Sequence, residues 1–136
     1  NQKTLYGLLC IVDDFADDAS IMHKRSGSVL NRLFLSGRHH SISTIVSVQK
    51  LSMVSTPIRV NATGMLLFKV RARNERDAAE NFVSAPVNPQ EFRALYKAAT
   101  DEPYSFLYIK LNAKSIQDTF SVRFEKRVTF SDSDSE

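Results

Sequence analysis

The sequence is short of cysteine, glycine and long apolar runs, and each shortage excludes something. Cys10 is the single cysteine in 136 residues, so a disulfide framework is ruled out. It lies inside an apolar run and reads as a small hydrophobe, with a reducing compartment as the simpler setting. The four glycines stand at positions 7, 27, 37 and 64, and none precedes Lys-Ser or Lys-Thr. The pattern G-x-x-x-x-G-K-[ST], whose backbone amides cradle phosphates, is therefore absent from this chain. Residues 5–12 form the longest apolar run, which is strand length and far below the roughly 20 residues of a membrane span. The opening Asn-Gln-Lys-Thr-Leu carries neither a cleavable signal pattern nor an initiator methionine. It reads as a cut through a longer protein.

What remains is ordinary for a soluble domain, with 43% apolar and 24% charged residues. The length fits one domain that buries about two-thirds of its unfolded surface. The net charge of +3 hides a split. Asp132, Asp134 and Glu136 hold three of the 15 acids in a base-free terminus, which leaves 18 bases against 12 acids elsewhere. A body of that sign favours a polyanionic partner, and residues 131–136 read as a disordered acidic tail.

The run at 5–12 is continuous rather than alternating, as suits a strand covered on both faces in a parallel sheet. Ser26-Gly27-Ser28 marks a turn and helix start, and apolar positions 29, 30, 33 and 34 have helical spacing up to Gly37. Residues 42–48 are rich in β-branched side chains and end at Gln49. Thr56-Pro57 opens a short helix, residues 65–70 form a strand, and Asn74 is placed to cap a helix through Phe82. Asn88-Pro89-Gln90-Glu91 is a stronger helix start, followed by an apolar face at Phe92, Leu95, Tyr96 and Ala99. Residues 105–111 and 120–124 then read as two closing strands. Strand, helix, strand, helix, strand predicts an α/β sheet with right-handed crossovers.

Asp13 and Asp14 are the sharpest chemical feature. Two acids at the C-terminal end of a buried strand lie where open α/β sheets bind ligands. Neighbours on a strand point to opposite faces, so one carboxylate can hold Mg²⁺ while the other polarises an attacking water. The alternative is a pair that opens a loop or caps the next helix. Gln49 ends the next apolar strand, where an amide donates to a phosphate oxygen and accepts from water. Arg38, His39 and His40 follow a helix, where cations meet the negative end of its dipole. An arginine there is also suited to reach a neighbouring subunit's phosphate. Two consecutive histidines without a cysteine or carboxylate cluster are poor zinc spacing.

The strings LLCIVDDFAD, SGRHHSISTIVSVQK, IRVNATGMLLFKVRARNERDA and EPYSFLYIKL, in that order, resemble the genome-packaging ATPases of large DNA viruses, within the FtsK–HerA superfamily of DNA-pumping motors. The resemblance covers residues 5–125. It implies that residues 1–130 are the C-terminal half of a RecA-like P-loop ATPase core, a mainly parallel sheet flanked by helices. By position, Asp13 matches the magnesium-binding acid and Asp14 the water activator. Many relatives carry Glu at the second place, one methylene longer. Gln49 matches the γ-phosphate-sensing glutamine, and Arg38 and Arg59 are both candidates for the arginine acting in trans. Lys69, Arg71 and Arg73 alternate at a strand end, facing either DNA in a ring pore or solvent. The family implies ATP with Mg²⁺, double-stranded DNA, a ring of identical subunits, capsid or virion proteins as partners, and location in virions or viral factories. The rivals are a conjugation or helicase motor of the same superfamily, and a non-catalytic interaction module whose paired acids cap a helix.

Overall fold

A computed structural model describes residues 6–13, 28–83 and 87–128. The chain is mixed α/β and divides into two compact units, Asn1–Ala62 and Thr63–Glu136.

In the first unit, β1 (Leu8–Val12) and β2 (Ile42–Val46) pair in parallel, with Leu8 opposite Ile42 and Val12 opposite Val46. Helix α1 (Val29–Ser36) lies between them in sequence, as its apolar spacing predicts. Ser28 caps it, its hydroxyl accepting from the Asn31 amide at 3.2 Å, a contact worth about 1 kcal/mol. A 3-10 turn, Gly37–His40, then leads into β2. A Cβ at Gly37 would lie 3.1 Å from the Ile42 carbonyl oxygen, so the small residue permits this tight entry. After β2 come a 3-10 turn, Leu51–Met53, and helix α2 (Thr56–Asn61), whose Pro57 lies in the first turn where no amide donor is needed. Leu30, Val54 and Ile58 form the buried centre, with Val12, Val46, Val48, Phe34 and Leu51 packed against it. The buried Asn31 is satisfied inside this core, its Oδ1 accepting from the Ser55 hydroxyl.

The expectation that β1 is covered on both faces is not met among the described residues. Helices α1 and α2 pack on the face that carries Val12 and Val46. The opposite face presents Leu9, Ile11 and Ile45, which are 59%, 64% and 53% exposed. Cys10 is half-buried rather than fully inside.

The second unit is a four-stranded antiparallel sheet in the order β3 (Gly64–Phe68), β4 (Phe106–Lys110), β5 (Phe120–Val122), β6 (Lys126–Arg127). Helices α3 (Arg73–Phe82) and α4 (Pro89–Ala99) lie between β3 and β4 in sequence. The mainly parallel sheet that was expected is corrected here: one pair is parallel and the larger sheet is antiparallel. The reason is the connection. A crossover connection permits a parallel return but does not impose one, and here the connection through α3 and α4 returns the chain antiparallel to β3. Arg93 of α4 pairs with Glu80 of α3 at 3.2 Å.

Asn88 caps α4 as predicted, accepting from the Gln90 amide at 2.9 Å. Asn74 does not cap α3; it stands second in the helix, behind Ala72 at the cap. Leu67, Leu107, Ile109 and Phe120 of the sheet are buried, as are Phe92, Leu95, Tyr96 and Ala99 of α4. The Tyr96 hydroxyl accepts from the Val70 amide at 2.6 Å and donates to the Phe68 carbonyl at 3.1 Å. That exchange occupies the backbone at the strand's end, so β3 stops at Phe68 rather than at residue 70. The residue 131–136 tail lies outside the described residues.

Candidate functional site

Parallel pairing decides which predicted residues meet. Because β1 and β2 run the same way, their C-terminal ends share one edge, and the Ser47 amide bonds the Val12 carbonyl at 2.8 Å to extend the ladder to that edge. Asp13 follows Val12 directly, and Gln49 stands three residues beyond Val46 in a bend. Both are exposed at this edge. Val12, Val46 and Val48 pack on the Leu30–Val54–Ile58 centre, so the backbone bearing the two polar residues is anchored by buried apolar contacts. Asp14 lies outside the described residues.

Arg59 is placed differently from a residue that reaches outward. From α2 its Nε donates to the Val54 carbonyl at 2.9 Å, and its Nη2 donates to Leu51 at 3.0 Å and to Ser52 at 3.4 Å. The guanidinium thus gathers carbonyls of the Leu51–Met53 turn, which begins two residues after Gln49, and of its cap Val54. Arg59→Ala is expected to lower the unfolding free energy of the chain by about 1–2 kcal/mol, since charged-group hydrogen bonds are lost from a part-buried site. Arg59→Lys is expected to recover less than half of that, because an ammonium cannot reproduce the fork. Urea unfolding followed by circular dichroism checks both, and an unchanged midpoint in Arg59→Ala would show that the turn holds without it.

Arg38 is at the other end of the pair. It belongs to the 3-10 turn before Ile42, whereas Asp13 and Gln49 follow the last strand residues. Five residues at about 3.3 Å each put roughly 15 Å between those edges. Arg38, His39 and His40 are all exposed. Their turn is closed by Ser41, held in the left-handed region at φ 56° with its amide on the Arg38 carbonyl at 3.3 Å. The Arg38 guanidinium has no hydrogen-bond or ion-pair partner among the described residues.

Lys69, Arg71 and Arg73 are exposed, but they do not alternate along a strand. Lys69 and Arg71 lie in the segment after β3, and Arg73 opens α3.

Asp13 is the carboxylate described at the acid edge. Mg²⁺ takes one or two carboxylates and fills its remaining positions with water and phosphate oxygens, and Asp13 offers an exposed carboxylate of that kind. No group of three or more His, Cys, Asp or Glu residues that would hold a metal without such help occurs among the described residues. Among the same residues, no helix is long and apolar enough to cross a membrane. Comparison with protein-family models, with curated proteins and with solved structures finds no match to this chain.

Sequence reasoning missed the internal use of Arg59 and the strand β6. The first had no local signal, because the carbonyls it gathers are backbone groups five to eight residues away. The second is two residues long and follows a turn with Arg123 at φ 53°.

Proposed function

We propose that the chain is the Walker B and sensor portion of a RecA-like ATPase that drives double-stranded DNA through a ring of identical subunits, as the genome-packaging ATPases it resembles do. The observation that supports this reading is the parallel register of β1 and β2, which ends both strands at one sheet edge, with Asp13 next after Val12 and Gln49 three residues after Val46. Ligands of open α/β sheets bind at that edge.

ATP is the substrate, and a bound Mg²⁺ would bridge its phosphates and neutralise developing charge. Asp13 holds the metal directly or through water. Asp14 orients and polarises the attacking water, and Gln49 donates its amide to the γ-phosphate while accepting from that water. The phosphate cradle comes from polypeptide outside these 136 residues. Arg38 acts on the neighbouring subunit's nucleotide in preference to Arg59, because Arg59 is engaged with its own turn and Arg38 stands exposed. Lys69, Arg71 and Arg73 contact DNA phosphates without reading sequence, as a motor that passes any genome requires. Capsid or virion proteins are the expected partners, and virions or viral factories the expected location.

The test is duplex-stimulated ATP hydrolysis by the polypeptide that precedes Asn1 joined to this chain. The upstream sequence should contain G-x-x-x-x-G-K-[ST], and the joined protein should hydrolyse ATP faster with blunt duplex than without it. No such motif, or strand separation in place of duplex movement, would defeat the reading. The 136-residue chain alone should bind ATP weakly, since carboxylates repel a triphosphate that no backbone cradle offsets. Calorimetry with Mg²⁺ that gave a micromolar Kd for the chain alone would show the phosphate site to be within these residues.

A further inference from the structure

Gln49 lies on a short length of backbone that is fixed at both ends. Upstream, the Ser47 amide donates to the Val12 carbonyl at 2.8 Å, and the Val48 side chain packs on the Leu30–Val54–Ile58 centre. Downstream, the Lys50 carbonyl accepts from the Met53 amide at 3.2 Å, so the residue after Gln49 is tied into the Leu51–Met53 turn. A second bond inside that turn runs from the Val54 amide to the Leu51 carbonyl at 3.1 Å. Bonds of a 3-10 turn have poorer geometry than those of an α-helix, so a three-residue turn holds itself weakly.

Arg59 adds a hold from outside the turn. Its Nε donates to the Val54 carbonyl at 2.9 Å, and its Nη2 donates to Leu51 at 3.0 Å and to Ser52 at 3.4 Å. A planar guanidinium, with donors in a rigid fork, can span three carbonyls, whereas an ammonium is a single point of donation. Arg59 is half-buried, and its neighbour Ile58 on α2 belongs to the buried centre. Core packing therefore fixes the helix that carries Arg59, and the guanidinium passes that placement to the turn. The chain of contacts runs from the core through α2, Arg59 and the turn to the backbone of Gln49.

We infer that Arg59 is a positioning residue for Gln49, holding its backbone at the C-terminal edge of the parallel pair through the Leu51–Met53 turn. The inference rests on the ATPase reading proposed above, in which Gln49 meets the γ-phosphate and the attacking water. A misplacement of about 1 Å can cost roughly 10²-fold in rate, so a loosened turn registers in turnover as well as in stability.

Two measurements test it. In the 136-residue chain, Arg59→Ala is expected to speed hydrogen exchange at the Met53 and Val54 amides by roughly tenfold more than at the Ser47 amide, which β1 holds. In the polypeptide that also carries a phosphate-binding loop, Arg59→Ala is expected to lower kcat by roughly tenfold or more with little change in KM. Made on a Gln49→Ala background, the same substitution is expected to lower kcat no further, because the side chain it positions is gone. A purely structural arginine would lower turnover by the same factor in both backgrounds. Arg59→Lys keeps the charge and loses the fork. It carries the test if Arg59→Ala fails to fold, with a smaller loss that depends on Gln49 in the same way. Exchange at Met53 and Val54 that tracks Ser47 would overturn the inference whatever the chain catalyses. Equal losses of kcat in both backgrounds would overturn it and leave the ATPase reading standing. Parent turnover in Gln49→Ala would remove the sensor role of Gln49, and the inference with it.

Discussion

Asp14→Asn, in the polypeptide that also carries a phosphate-binding loop, is expected to cut ATP turnover by roughly 10²-fold or more while nucleotide binding survives. An asparagine keeps the size and one hydrogen-bonding oxygen but cannot accept a proton, so the loss falls on the chemical step. Asp13→Asn is expected to act differently, because Asp13 follows the last residue of β1 at the C-terminal edge of the parallel pair, where open α/β sheets bind ligands. A neutral amide there is a poor magnesium ligand, so binding of the magnesium–ATP complex should weaken along with turnover. The two variants therefore separate in KM against kcat: Asp14→Asn lowers kcat with little change in KM, and Asp13→Asn changes both. Steady-state hydrolysis across a magnesium titration reads this directly. Parent-rate hydrolysis by both would show that the acids only terminate the strand.

How much of this arrangement was legible depended on how local its cause was. Helix α1 was readable because apolar residues 29, 30, 33 and 34 recur at helical spacing, with Leu30 and Phe34 turned to the core, and Ser28 offers a cap within three residues. The same holds for α4, where Asn88 and Pro89 fix the first turn. Sheet direction was not readable in this way. Residues 65–70 look alike whether the next strand runs parallel or antiparallel, because direction is set by a partner about 40 residues away rather than by local side chains. The burial of β1 was over-read for a related reason: an apolar run states a demand for cover but not whether the described chain supplies it. Leu9 and Ile11 are left exposed because both packing helices lie on the Val12 face. At the candidate site, Asp13 and Gln49 were visible as polar residues that end apolar runs. The distinction between Arg38 and Arg59 was not, since both are arginines near helix ends. It needed the three backbone carbonyls around the Arg59 guanidinium.

That distinction leads to the largest expected effect. Arg38→Ala, in the polypeptide that also carries a phosphate-binding loop, is expected to fold and bind ATP yet lose roughly 10³-fold in turnover, the scale of an arginine supplied in trans. Roughly 15 Å of strand separates its turn from the edge of Asp13, so it has no route to its own subunit's phosphates along the sheet. In a closed ring each subunit presents a different surface to each neighbour, and a residue remote from its own site can lie against the next one. The competing account is a cation at the end of α1, worth about 0.3–1 kcal/mol to folding and nothing to turnover. Mixing Arg38→Ala with Asp14→Asn distinguishes the two. If Arg38 acts in trans, some interfaces in mixed rings pair an intact acid with an intact arginine, and part of the lost activity returns. Co-assembly is established first by pulling down one tagged variant with the other, and activity is then followed against mixing ratio. Mixed rings that form and stay inactive, or an Arg38→Ala variant with parent turnover, would return Arg38 to the helix-end role.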